Sequence, residues 1–338
     1  MYTDKIMQAY NSYKSLTPLD ISDASNKNRV DTWKDVIQYQ PDEYARMVKS
    51  LCEANSLDEY VSTSYSDFDN LAIVIKTAID AGFIKINKLG KITTDTNTGL
   101  DIKSYSNDFI FSPRSDYNQF PCDSLSADYR ANYVISRYPF TDNVNIGLIG
   151  DDDFISLRLL QHSNASVLVV EKDERIIEEI TKKSNSNRLI VHTADIRDDP
   201  QTKSLDTFVT DPPYTIDGAM SFILCGLKML KEPLERKEFY VILNKTMMGM
   251  RLYELFRLLS SENILVESIK EGVSHYLLPN KFDERKRADI FLDKYKISHD
   301  ALKFSSSSNM YSFKITGPVN ISKLEEQINN NRIYEHYE

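Results

Sequence analysis

The chain has no long apolar run. Nowhere in its 338 residues do about 18 apolar residues follow one another, which argues against a membrane-spanning helix. The first residues, Met1 to Met7, hold no apolar signal core. Secretion is therefore not expected, and a cytoplasmic location is. Cysteine is scarce. Cys52, Cys122 and Cys225 are widely spaced and odd in number, which speaks against a disulfide frame or a cysteine-built metal site and for free thiols in a reducing compartment. None sits in a context that would activate it. The five histidines do not fall at metal-ligand spacing, so no metal is expected. Positive charge is short too: 41 Lys and Arg face 50 Asp and Glu, a formal net charge of −9. Nucleic-acid binders are usually basic on at least one face, so nucleic acid is not an expected partner. Acidity fits a cationic partner, or simple solubility. No internal repeat or low-complexity tract stands out. At 41% hydrophobic and 27% charged, the chain has the composition of an ordinary globular protein, long enough for two domains.

Residues 1–60 read as polar helices rich in Tyr, Asn and Ser. Ser66 and Asp69 form a candidate capping box ahead of Leu71, Ile75, Ala78 and Ile79, which share one helical face. Phe83–Ile86 and Lys91–Thr94 alternate around Lys88-Leu89-Gly90, as a hairpin would. Helices followed by a hairpin suggest a winged-helix-like domain over residues 1–110. It carries 12 Lys and Arg against 16 Asp and Glu. A net negative unit cannot easily release counterions from phosphates, so packing or dimerisation is its expected role, and a homodimer is left open. Residues 111–140 read as a linker and lead-in helix, with the Asn-, Ser-, Asp- and Pro-rich stretch 97–125 as a linker or a loop over a site.

From residue 141 to 338 the rhythm is strand, helix, strand, helix. Strands are expected at Val144–Ile149, Ser166–Val170, Arg188–His192, Leu205–Thr210, Phe239–Leu243, Ile264–Gly272 and Tyr311–Ile315. Helices are expected at Phe154–Gln161, Glu174–Lys183, Gly218–Leu230, Met247–Leu259 and Asn320–Asn331. Such alternation predicts an α/β domain with a Rossmann-like, doubly wound parallel sheet of the methyltransferase kind.

The chemistry gathers at the strand ends, where open α/β sheets bind ligands. The first strand runs into Gly150-Asp151-Asp152-Asp153. Nucleotide-binding turns usually offer glycines and backbone amides to an anion. This one offers three carboxylates, which would repel a phosphate or a free carboxylate and favour a sulfonium or ammonium group. Three readings of the triplet stay open: an amine clamp, a divalent-metal site, and a helix cap with solvated acids. Glu171, with Asp173 close behind, ends the second strand, where an acid commonly accepts hydrogen bonds from ribose hydroxyls. Asp195 follows the third strand and is placed to meet an adenine amino group. The fourth strand ends in Asp211-Pro212-Pro213-Tyr214. Two prolines stiffen that turn, which can present a carboxylate or carbonyl to an amine and a ring face to a cation. His275 and Tyr276, in residues 274–284, belong to an ordinary loop or to a lid facing the acceptor.

The Asp-Pro-Pro-Tyr string resembles the motif of S-adenosylmethionine-dependent amino methyltransferases. Taken together, Gly150–Asp153, Val170–Asp173 and Phe208–Thr215 resemble the branched-chain polyamine synthase family, built from an N-terminal winged-helix-like domain and a C-terminal Rossmann-like domain. The resemblance implies transfer of an aminopropyl group from decarboxylated S-adenosylmethionine to an amine of a polyamine-like acceptor, releasing methylthioadenosine. It implies Asp152 as the key active-site acid, Asp211 beside the reacting amine, and Tyr214 where thermophilic members typically have Glu. Gly150, Asp151, Glu171, Asp173 and Asp195 then fall on the cofactor side. Asp153, Pro212, Pro213, His275 and Tyr276 fall on the substrate side. Two alternatives compete. One is an amino methyltransferase or aminocarboxypropyl transferase using intact S-adenosylmethionine. The other is a DNA-binding, polyamine-sensing regulator.

Overall fold

The computed structural model describes residues 2–17, 20, 38–64, 66, 68–94, 114, 119–138, 144–198, 203–278 and 283–328. Most of the 97–125 stretch and the last ten residues lie outside these. Seven strands form one sheet: β3 (Asn145–Ile149), β4 (Ser166–Glu171), β5 (Leu189–Thr193), β6 (Thr207–Thr210), β7 (Glu238–Leu243), β8 (Ile264–Leu277) and β9 (Phe304–Ile315). Their order across the sheet is β5-β4-β3-β6-β7-β9-β8. The first five are parallel, while β9 runs antiparallel between β7 and β8. The sheet is therefore mixed, not all-parallel as expected. Its last two strands pair antiparallel with each other, a pairing that by itself needs no crossover helix.

The central strands β3, β4, β6 and β7 are almost wholly buried. This is why they read as continuous Val/Ile/Leu/Phe runs: helices cover both faces, so no position is left for a polar alternation. Helix α5 (Ser124–Arg137) precedes β3, α6 (Ile155–His162) and α7 (Glu174–Lys183) follow β3 and β4, and then come α8 (Ile216–Met229), the short α9 (Lys245–Met248) and α10 (Met250–Ser261). The expected Met247–Leu259 helix is two helices, because Gly249 at φ 56°, ψ −134° breaks the ladder between them. The expected strand at Ile264–Gly272 runs on to Leu277. His275 and Tyr276 are thus strand residues and form no lid. The tail helix is only Ile321–Glu325.

The N-terminal elements are α1 (Tyr2–Ser15), α2 (Pro41–Glu53), α3 (Leu57–Thr63), α4 (Phe68–Asp80) and a hairpin of β1 (Lys85–Ile86) and β2 (Ile92–Thr93). The order matches the expectation, but these strands are two residues each. The core they enclose is completed by Ala288, Phe291 and Leu292 of α11 (Asp283–Lys294) and by Leu277 of β8. A winged-helix unit is not established. Nor does the capping box form: Ser66 Oγ is buried without a hydrogen-bond partner, and Asp69 accepts from Arg287 Nε at 3.1 Å. Among the described residues no helix is long and apolar enough to cross a membrane.

One packing detail fixes the strand that carries Asp211. Phe208 of β6 stacks on Phe239 at 4.7 Å, and Phe239 stacks on Phe313 at 5.2 Å. Gly226 of α8 lies against this column, and a Cβ there would meet the Phe208 ring at 2.5 Å. The stacked rings have nowhere to go. Gly226→Ala is expected to destabilise the fold by about 1–3 kcal/mol in urea unfolding, despite the better helix propensity of alanine. An unchanged midpoint would show that the column yields.

Candidate active site

Strand register brings the site together. Ile149 of β3 pairs with Val170 on one side and Thr210 on the other. The next residue on each strand, Gly150, Glu171 and Asp211, therefore falls in one row at the carboxyl edge. The chain winds outward through β4 and β5 and then returns to β6 on the far side of β3. That reversal is the switch point at which such sheets leave a crevice.

The turn after β3 is wound by two left-handed residues. Gly150 has φ 74° and Phe154 has φ 56°. A Cβ on Gly150 would stand 3.1 Å from the Phe222 ring, and Phe154, a rare non-glycine in this region, is held by its buried ring. Between them the three carboxylates splay in three directions. Asp151 turns inward and accepts the Ser156 amide on both oxygens at 3.3 Å. Asp153 accepts the Cys122 amide at 2.6 Å and an Arg130 Nη1 bond. Asp152 lines the cleft, and neither hydrogen bond nor ion pair reaches its carboxylate among the described residues. The capping reading holds for Asp151, which accepts the Ser156 amide.

Two spaces with shared walls open here. The larger cleft, about 570 Å³, is walled by Gln119, Val170, Glu171, Lys172, Ile196, Pro213 and Phe222. The smaller recess, about 230 Å³, is walled by Arg130, Asp151, Asp153, Thr210 and apolar residues. Gly150, Asp152 and Asp211 border both.

Arg130 of α5 was not singled out by any motif, yet it is the hub. Its side chain is 1% exposed. Nε donates to Ser274 Oγ at 2.7 Å, and Nη2 donates to Asp211 Oδ2 at 2.9 Å and to Tyr276 OH at 3.1 Å. The Tyr276 hydroxyl donates to the same Asp211 oxygen at 2.5 Å, and Tyr214 OH donates to Tyr276 OH at 3.0 Å and lies 2.9 Å from Ser308 Oγ. A lone arginine in a predicted helix carries no local signal of such a role.

Other expected residues are placed less centrally. Glu171 borders the cleft, but its oxygens accept the amides of Asp151, Lys172 and Asp173 at 3.1, 2.8 and 2.8 Å. Asp173 caps α7 and is bound by Gln119 at 2.8 Å and Arg175. Asp195 lines neither space. Lys172 holds it at 2.7 Å and Arg197 at 2.5 Å. His275 packs its ring on Phe304 and Pro212 is buried; neither borders the spaces.

Charge follows from this pairing. Asp173 and Asp195 sit below the usual carboxylate range: burial opposes the Arg175 and Gln119 bonds at the first, and the Arg197 fork dominates at the second. Asp152 is raised well above it, first by burial and then by Asp153, Asp211 and Glu171, against the pull of Arg130. Burial pushes Asp211 up to about 6 despite Arg130. Among the described lining residues the two cations, Arg130 and Lys172, are already paired with acids.

The fold and the site together define an α/β protein with an acid-lined ligand cleft at the switch point of its sheet. The branched-chain polyamine synthase A C-terminal domain matches residues 113–338. The N(4)-bis(aminopropyl)spermidine synthase of Methanocaldococcus jannaschii is 28% identical over 182 residues, 48% of this chain and 51% of that protein. That of Thermococcus kodakarensis is 31% identical over 99 residues, 27% of this chain and 28% of that protein. A branched-chain polyamine synthase mutein from Thermus thermophilus, solved with N4-aminopropylspermidine and 5'-methylthioadenosine, shares the fold at a TM-score of 0.60 and 16% identity, covering 90% of this chain and 94% of that one. The chain belongs to the branched-chain polyamine synthase family. It spans about half, or less, of the length of the curated relatives it matches.

The buried acids couple stability to pH. Asp151 is raised from 3.8 to about 8 by burial. Between those values the folded chain keeps a proton that the unfolded chain has released, so stability falls as pH rises through the window, by up to about 1.4 kcal/mol per unit. Asp151→Asn keeps an acceptor for Ser156 and removes the titration. Its urea midpoints should fall less between about pH 5 and about pH 8 than those of the native chain; equal slopes would show that Asp151 stays ionised.

Proposed function

We propose that this protein transfers an aminopropyl group from decarboxylated S-adenosylmethionine to an amine of a polyamine-like acceptor, releasing methylthioadenosine. The observation that carries the reading is Asp152, an unpaired carboxylate bordering both spaces. Family membership, and the amine and methylthioadenosine in the Thermus neighbour's site, support the same reading. The residues fit such a donor. Val170, Ile196, Pro213 and Phe222 offer apolar walls to a flat ring, and Gln119 and Glu171 offer polar atoms beside them. Among the described lining residues the two cations, Arg130 and Lys172, are each paired with an acid and offer no free charge to the carboxylate of the intact cofactor.

The acceptor nitrogen attacks the carbon beside the sulfonium, and the sulfur leaves in line. No covalent enzyme intermediate is required, so positioning supplies much of the rate. The nitrogen must be neutral. Deprotonating an alkylamine that titrates near 10 costs roughly 4–5 kcal/mol at neutral pH, at about 1.36 kcal/mol per unit. Burial raises Asp152 toward the amine, and the sulfonium lowers the amine toward Asp152; each unit of convergence removes about 1.36 kcal/mol from the transfer. Asp152 accepts the proton. Asp211, whose Oδ2 is occupied by Arg130 and Tyr276, orients the amine through Oδ1. In this reading residues 1–110 form a winged-helix-like unit for packing or dimerisation, 111–140 the lead-in, and 141–338 the catalytic domain.

Purified protein should convert decarboxylated donor and a polyamine to a product heavier by one aminopropyl group, read by mass, with intact S-adenosylmethionine left unconsumed. Asp152→Asn should lower kcat by about 10²–10⁴-fold. No product with any diamine or polyamine, or methyl transfer from the intact cofactor, would exclude the reading.

A further inference from the structure

The acid cluster at the switch point contains a cation of the chain's own. Asp151, Asp152 and Asp153 in the turn, Glu171 at the end of β4 and Asp211 at the end of β6 converge on a small volume. Into it α5 extends Arg130, among the largest fully buried side chains of the molecule. Two of its bonds close off particular acidic atoms, Asp153 Oδ2 and Asp211 Oδ2. Asp153 is used up, one oxygen by Arg130 and the other by the Cys122 amide. Asp211 is half used, with Oδ2 taking Arg130 and Tyr276. Asp151 is consumed by the Ser156 amide. Arg130 itself cannot drift. Ser274 and Tyr276 of β8 hold its Nε and Nη2. Its helix is tied to the same strand by Asp123 N donating to His275 O at 2.9 Å and His275 N donating to Ser126 Oγ at 2.9 Å.

We propose that Arg130 is the positioning residue of the active site: an internal counter-ion that occupies Asp153 and one oxygen of Asp211, leaving Asp152 and the other oxygen of Asp211 for the substrate amine. This rests on the aminopropyl-transfer reading. The guanidinium fork is essential, because only a planar group with donors on three nitrogens spans Ser274, Asp153 and Asp211 at once. The groups facing Asp152 are Arg130 from α5, Asp151 and Asp153 in its own turn, Glu171 and Lys172 from β4, and Asp211 from β6. Cys122, Tyr214 and Tyr276 stand behind them around Arg130 and Asp211.

The test uses the full chain and two readouts, of which the first needs no turnover. In carboxyl-carbon NMR of aspartate-labelled protein, Arg130→Met removes a positive charge and should move the Asp152 titration up by about one pH unit, whereas Asp153→Asn removes a negative charge and should move it down by a similar amount. Arg130→Lys keeps the charge and loses the fork. It should leave the titration in place while kcat falls about 10–100-fold and KM for the donor stays within about threefold. A purely structural role would lower activity in all three variants without opposite shifts. Shifts of the same sign, or none, in variants with native near-ultraviolet circular dichroism overturn the proposal. So does an Arg130→Lys variant with undiminished kcat. If Arg130→Met does not fold, Asp153→Asn and Arg130→Lys decide. If the native chain turns over no donor, the reaction assignment falls, and the titrations still judge Arg130.

Discussion

Arg130, enclosed by Asp153, Asp211, Tyr276 and Ser274, is the contact on which the rest of the site depends. Burying a guanidinium costs several kcal/mol, which only well-placed charge partners offset. Here four partners come from three places: the β3 turn, the end of β6, and two residues of β8. The same bonds that stabilise the cation orient the acids. Removing any one partner would leave the others misdirected as well as unpaired. The site is therefore a single electrostatic unit and not a row of independent carboxylates.

That unit stands on rigid supports. The ring column of Phe208, Phe239 and Phe313 ties β6 to β7 and β9, and Asp211 follows directly on β6. The two left-handed residues flanking the Asp triplet hold each carboxylate to its own direction. Asp152 is left as a raised, unpaired acid with a cost that the apoprotein bears. Active sites commonly store such unfavourable energy where binding can release it.

Much of this was legible in the residues. Continuous apolar runs marked the parallel strands, because burial on both faces leaves one pattern. The Gly150–Asp153 and Asp211–Tyr214 strings marked the strand ends, since open sheets present those turns to ligand. The misreadings have physical causes. β8 and β9 carry polar stretches such as Ser305–Ser308, buried by their neighbours and not by their own hydrophobicity, so their lengths and antiparallel sense were hidden. Asp195 follows β5 as expected, and Lys172 and Arg197 bind it there, a pairing that no local string displays.

The amino-acid order by itself determined the sheet-forming runs and the acid-bearing turns. Those properties are local, set by hydrophobic periodicity and by which residues follow a strand. Only the tertiary structure decided which acids stay available. That choice depends on Arg130 arriving from a helix that precedes β3, on β8 reaching back with Ser274 and Tyr276, and on distances of a few ångströms between residues as far apart in the chain as Arg130 and Tyr276. Electrostatic pairing in a buried space is a property of proximity, and proximity across the fold is not written in any one segment.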